Sequence, residues 1–204
     1  MNTSTRTRLA MLGTIADLHR QPLAYDLACL RKLIIEVSPD LLCAEVTQET
    51  WESGNLPSSM IELREALIPV EASTDIVLVP VAFSEMPYDE FSPRTGWRKH
   101  TARSLRRLLR WGQRKVGSPE AINGFWFGAF CHSLCNLSEA VWSGQDRALW
   151  DQQNRGIVEN ILRVIRQDPG RRVMVVVQCQ RLHSLIRLLK AFPNELELVG
   201  YQEL

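Results

Sequence analysis

The chain has 204 residues, a formal net charge of +1, 45% hydrophobic and 23% charged residues. Those values describe one ordinary globular domain, 1–204, with enough apolar side chains to bury a core and no global field directed at nucleic acid or a membrane. The five cysteines, an odd number without framework spacing, point to a reduced, intracellular setting rather than a disulfide scaffold. The polar start from Met1 to Arg8 lacks the apolar segment of a secretory signal. No apolar run approaches the roughly 18 residues of a spanning helix, so a soluble cytoplasmic protein without membrane association is expected.

Leu9-Ala10-Met11-Leu12, ending at Gly13, reads as a first strand and turn. Leu23, Leu27, Leu30, Ile34 and Val37 recur at steps of three and four, one face of a helix that Ser38-Pro39-Asp40 stops. Leu41 to Val46 follows as a strand, giving a βαβ unit with parallel strands. Residues 47–74 read as loop plus one helix, opening near Ser58-Ser59 with Glu62 in the capping-box position. Ile76-Val77-Leu78-Val79 is a third buried strand ending at Pro80.

Helical patterns then run from Trp97 to Lys115 and from Pro119 to Trp142, with no convincing strand. Residues 86–150 are therefore expected to form a helical insertion or cap. Ile157, Ile161, Val164 and Ile165 mark the next helix, closed by Asp168-Pro169-Gly170. Val173 to Val177 is apolar on both faces, as a central parallel strand should be. Leu182, Leu185, Ile186 and Leu189 make a last helix, and Leu196 to Val199 alternates like an edge strand. The expected fold is α/β, a mostly parallel sheet of about five strands flanked by helices.

Sites in such sheets form beyond the carboxyl ends of the strands. Three ends carry polar groups: Gly13, Thr14, Asp17 and His19 after the first strand, Glu45 closing the second, and Gln178, Arg181 and His183 after the strand at 173–177. Imidazole and carboxylate are the usual proton carriers and borderline metal ligands, but the histidines lack short-range ligand spacing, so no metal set is assigned. Their alternative roles are a loop cap for His19, a solvent-facing position for His183 and a structural ion pair of Glu45 with Arg155 or Arg181. From Arg94 to Lys115 the chain is strongly basic, with no acid between Glu90 and Glu120. That segment is either a solvated helix or a surface for a phosphate-rich ligand or acidic partner. Nothing in the pattern sets Trp97 and Trp111 on the basic face, which argues against nucleic acid. Cys131 and Cys135, at i and i+4 among Phe125-Trp126-Phe127 and Phe130, read as core packing rather than a metal site. No Gly-x-Gly-x-x-Gly, Walker-type loop or Gly-x-Ser-x-Gly elbow occurs.

The order of parts resembles the superfamily of TraB/PrgY proteins, Tiki proteases, erythromycin esterase-like hydrolases and ChaN-like haem-binding proteins. Leu12-Gly13-Thr14 is similar to their first strand-end motif, Gly-Thr-x-His, and Pro39-Asp40 through Glu45 to the second. Asn154-Arg155 with Asn160-Ile161, and Val175-Val176-Val177, are similar to the third and fourth, so the likeness covers roughly 9–85 and 150–190. Ala16 and Arg181 stand where the two motif histidines fall; His19 and His183 lie downstream. A shift of two residues along a helix turns a side chain by about 200°. The resemblance implies one of two functions. The first is a non-catalytic member binding an anionic small ligand or partner in the strand-end cleft, through Gly13, Thr14, Asp17, Arg155, Gln178 and Arg181. The second is a metal-assisted or acid–base hydrolase using Glu45, His19 and His183. The missing motif histidines favour the first. Haem is among the groups the resemblance brings in, but no residue demands a cofactor and its identity stays open.

Overall fold

The computed structural model describes residues 6–57, 60–84, 91 and 95–204. Ser58-Ser59, Glu90 and Arg94, on which a helix start and the edges of the basic segment were placed, lie outside the described residues, as does the start of the 86–150 segment. Five strands, β1 (Thr7–Thr14), β2 (Leu41–Ala44), β3 (Val77–Pro80), β4 (Arg172–Gln178) and β5 (Leu196–Val199), form one sheet in the order β3-β2-β4-β1-β5. Every pairing is parallel. This is the α/β fold expected.

β4 lies between β2 and β1, so the first βαβ unit spans a strand that arrives only late in the chain. The register sets Thr14 opposite Gln178 and Ala44 opposite Val176. Thr14, Glu45 and Gln178 therefore meet on one edge of the sheet.

The apolar runs follow from two-sided coverage. Met174 and Val176 of β4 join Ala10, Leu12 and Leu42 on one face. Val173, Val175 and Val177 join Leu9, Met11 and Cys43 on the other. The first face is covered by α1 (Leu27–Val37) and by residues of α4 (Gly96–Val116), α5 (Pro119–Ile122) and α6 (Phe125–Ala140). The second is covered by α7 (Gly144–Gln167) and α8 (Cys179–Leu189). Two further helices, α2 (Gln48–Ser53) and α3 (Ile68–Ser73), are short.

Three boundaries differ from expectation. α1 begins at Leu27 because the Asp26 side chain accepts the Cys29 N–H at 2.7 Å, which leaves Leu23 outside. The helix expected from Pro119 to Trp142 breaks at Asn123-Gly124, where the Asn123 side chain turns aside to accept the Gly13 N–H at 2.6 Å. A Cβ at Gly124 would lie 2.9 Å from the Glu120 carbonyl. α7 starts at Gly144, capped by Ser143, and runs unbroken across position 150, so no element ends there.

Gly13 is required by close approach. A Cβ there would meet Leu182 at 3.1 Å and Asn123 at 3.2 Å, so any side chain would push α8 and α5 off the end of β1. Gly13→Ala is expected to cost about 1–3 kcal/mol as overpacking, read from the shift in urea midpoint at unchanged slope.

Candidate functional site

The strand-end crevice is built around Arg181, whose side chain is 2% exposed. Its Nε donates to Glu45 Oε1 at 2.5 Å, and its terminal nitrogens donate to Asn154 Oδ1 at 2.9 Å and Gln153 Oε1 at 2.7 Å. The guanidinium lies 4.0 Å from the Trp150 ring centroid, a cation–π contact strengthened by exclusion of water. Trp150 packs in turn on Phe91 and Trp142. The second oxygen of Glu45 accepts the Gln178 N–H at 3.1 Å, at the start of α8, where a helix favours a negative charge.

The carboxylate beyond β2 thus neutralises a buried cation and caps a helix in one geometry. Removing the arginine strands a carboxylate and two amides. Arg181→Met is expected to lower the unfolding free energy by about 3–5 kcal/mol. Combining it with Glu45→Gln should cost less than the sum of the single changes, as a double-mutant cycle in urea will show.

His19 is enclosed in its own loop. Its Nε2 lies 3.1 Å from the Ile15 N–H and its Nδ1 2.8 Å from the Tyr25 carbonyl. Nε2 must accept, so Nδ1 carries the only proton and the ring is neutral. Burial depresses its pKa to about 4. An imidazole with both nitrogens engaged has none to offer a metal or a substrate. Because the folded value is lowered, the stabilisation is complete above the unfolded value of 6.5 and fades as pH falls toward about 4. The His19 contribution lost over that window is about 3 kcal/mol. His19→Gln should flatten that part of the profile of melting temperature against pH.

His183 is not in the crevice. It is exposed on α8, its ring 4.4 Å from that of His132 on α6. The crevice position beside Glu45 is taken by Arg181, two residues earlier on the same helix. Arg155 is also elsewhere: it faces solvent on α7, and its neighbour Asn154 is the one turned inward. Asp17 is exposed and pairs with Arg110 of α4 at 2.8 Å. Thr14 is buried, its hydroxyl donating to the Val177 carbonyl at 3.3 Å. The structure therefore brings together Glu45, Gln178 and Arg181, with Gly13, Thr14 and Asp17 on the same edge, and it separates His183 and Arg155 from them.

The sequence reading missed several members. Trp150, Gln153 and Asn154 share one face of α7 by spacing, and two polar residues on a face that continues as Ile157 and Ile161 are the signal that would have found them. The capping-box partners expected for Glu62, Ser58-Ser59, lie outside the described residues. Glu62 itself precedes a π-helical turn, Leu63–Leu67, and its carboxyl turns to the Thr14 hydroxyl and the Ala16 N–H. Burial raises its pKa, with nearby Glu45 adding to the shift, and one of its oxygens has no hydrogen-bond partner among the described residues. Ala16 reaches this position in the left-handed region at φ 53°, which a non-glycine residue adopts at a cost of about 1 kcal/mol or more.

α4 roofs the crevice. Besides the Arg110–Asp17 pair, Arg114 Nε donates to Gln21 at 3.0 Å, and the buried amide of Gln113 lies 3.1 Å from Cys179 Sγ at the start of α8. Cys131 is 3.8 Å from the same sulfur, so the cysteines of α6 pack inward as expected. Among the described residues no group of three or more His, Cys, Asp or Glu side chains is placed to hold a metal ion. Nor is any helix among the described residues long and apolar enough to cross a membrane.

Comparison with protein-family models, with curated proteins and with solved structures finds no match to this chain.

Proposed function

We propose that this chain is a non-catalytic binding protein, in the mould of the superfamily it resembles, that takes an anionic small ligand at the rim of its strand-end crevice. The observation that carries this reading is the Arg110–Asp17 pair. Both side chains remain substantially exposed, at 38% and 51%, and an exposed ion pair contributes little to stability. A phosphate or carboxylate can replace Asp17 on Arg110 at small cost, with Arg114 one turn further along α4 and the exposed Arg103 and Arg107 nearby. No acid lies within α4 to compete.

The groups a hydrolase would need are committed to other contacts. Arg181 neutralises Glu45, His19 is doubly hydrogen-bonded, and His183 stacks on His132. These placements favour binding over the alternative of acid–base hydrolysis through Glu45, His19 and His183. On this reading the anion-recognising role passes from Arg155 and Arg181 to Arg110 and Arg114 of α4.

Thermal unfolding in graded inorganic phosphate, pyrophosphate and phosphorylated sugars tests the reading. At least one should raise the melting temperature in a concentration-dependent way, through a stabilisation of about 2.7 kcal/mol when present at 100 times its dissociation constant. Arg110→Gln should abolish the rise while leaving the ligand-free melting temperature nearly unchanged. A melting temperature indifferent to every anion, or one that rises equally in the variant, refutes the proposal. One equivalent of zinc, iron or manganese per chain, lost on Glu45→Ala, would restore the hydrolase reading instead.

A further inference from the structure

A second feature lies on the other flank of α4. The C-terminal half of α4 packs against the N-terminal half of α6, with Gly112 so close to Phe130 that a Cβ would come within 2.6 Å of that ring. Between α4, α5 and α6 lies an open groove of about 700 Å³, lined chiefly by Trp111, Val116, Phe125, Trp126, Phe127 and Phe130. Its walls are exposed: Trp126 by 84%, Phe125 by 78% and Trp111 by 55%. Leu108 on α4 and Leu137 on α6 are further exposed apolar side chains of these two helices. Scattered apolar side chains are ordinary on a surface, but bulky aromatics contiguous around a concavity mark a binding site.

Of the helices around the groove, α4 is basic and holds no acid, while the groove's own lining holds one base and one acid. Lys115 is that base. Arg107, one turn before Trp111 on α4, is exposed. Glu120 of α5 is the one acid among the lining residues.

We infer that this groove docks an acidic amphipathic helix of a partner protein. The apolar face of that helix enters the groove, and its acidic flank lies along Arg107 and Lys115. Helix-in-groove recognition needs a concave apolar channel flanked by charge complementary to the ligand, and both are present. A second copy of this chain fits less well, because a two-fold contact that sets α4 against its own copy brings two acid-free, basic helices together. A bilayer fits poorly as well: a plane reaches the protruding Phe125 and Trp126, whereas Phe127, Phe130 and Gly112 on the floor are reached only by side chains that enter. The groove shares only the flanking Arg107 with the arginines near the anion site, since Arg110 and Asp17 are not among the lining residues.

A displayed library of amphipathic peptides about five helical turns long, with Leu and Phe on one face and either Glu, Gln or Lys on the other, is sorted against the whole chain. Enrichment of the Glu arm is expected, with binding weakened by salt and at least about tenfold by Trp126→Ala and by Arg107→Glu with Lys115→Glu. Circular dichroism and melting temperature should match the parent for each variant, and the Trp126→Ala protein should keep its response to anions. No enrichment, or equal enrichment of the Gln or Lys arms, overturns the inference. So does co-sedimentation with phosphatidylserine vesicles in place of peptide binding, or a concentration-dependent dimer that Trp126→Glu dissolves.

Discussion

The structure is organised by the problem of keeping one guanidinium dry. Arg181 sits where water does not reach, and a charge so placed is tolerated only with its hydrogen bonds satisfied and its charge countered. The solution draws on separate parts of the chain: a carboxylate from the end of β2, two amides and an indole face from the first half of α7, and the opening turn of α8, which supplies the arginine itself. Each partner fixes another. Glu45 holds α8 through the Gln178 N–H, and Gln153 reaches on to Ser84 beyond β3. The crevice that an open parallel sheet would leave for chemistry is filled, among the described residues, by a lock.

That lock explains how the residues at its edge behave. His19 and Glu62 both lie beside the end of β1, and each is driven by burial toward its neutral form. A neutral imidazole, and a carboxyl whose charged form burial disfavours, suit a site already holding one compensated charge pair. The left-handed Ala16 carries its N–H to the Glu62 carboxyl, so backbone strain at this edge serves polar satisfaction.

The strands and their order of burial were legible because two-sided coverage writes itself as unbroken apolar runs, clearest in Val173 to Val177. The site was legible in part, since a carboxylate ending such a run had to find a partner, and Arg181 was among those expected for it. The histidines were left with two readings each, because the sequence shows which residue types stand near a strand end, not which way a helix turns them. One turn of α8 carries Arg181 inward and His183 outward. The polar face of α7 went unread because Gln153 and Asn154 look like surface residues until a buried cation gives them a purpose. The break at Asn123 was hidden for a similar reason: its cause is Gly13, distant in sequence and adjacent in space. Trp111 shares the exposed side of α4 with its arginines, something the spacing alone did not establish.

The place of β4 between β2 and β1 has a consequence for synthesis. When the ribosome has delivered the first two strands and the helix joining them, those strands have no pairing with each other to make. Each must wait, with an open edge, for residues 172–178. Most of the chain emerges before the central strand exists, and unpaired apolar edges are what chaperones hold and aggregates grow from. Slow, late closure of the sheet, rather than weakness of the finished fold, is then the hazard this topology carries in the cell.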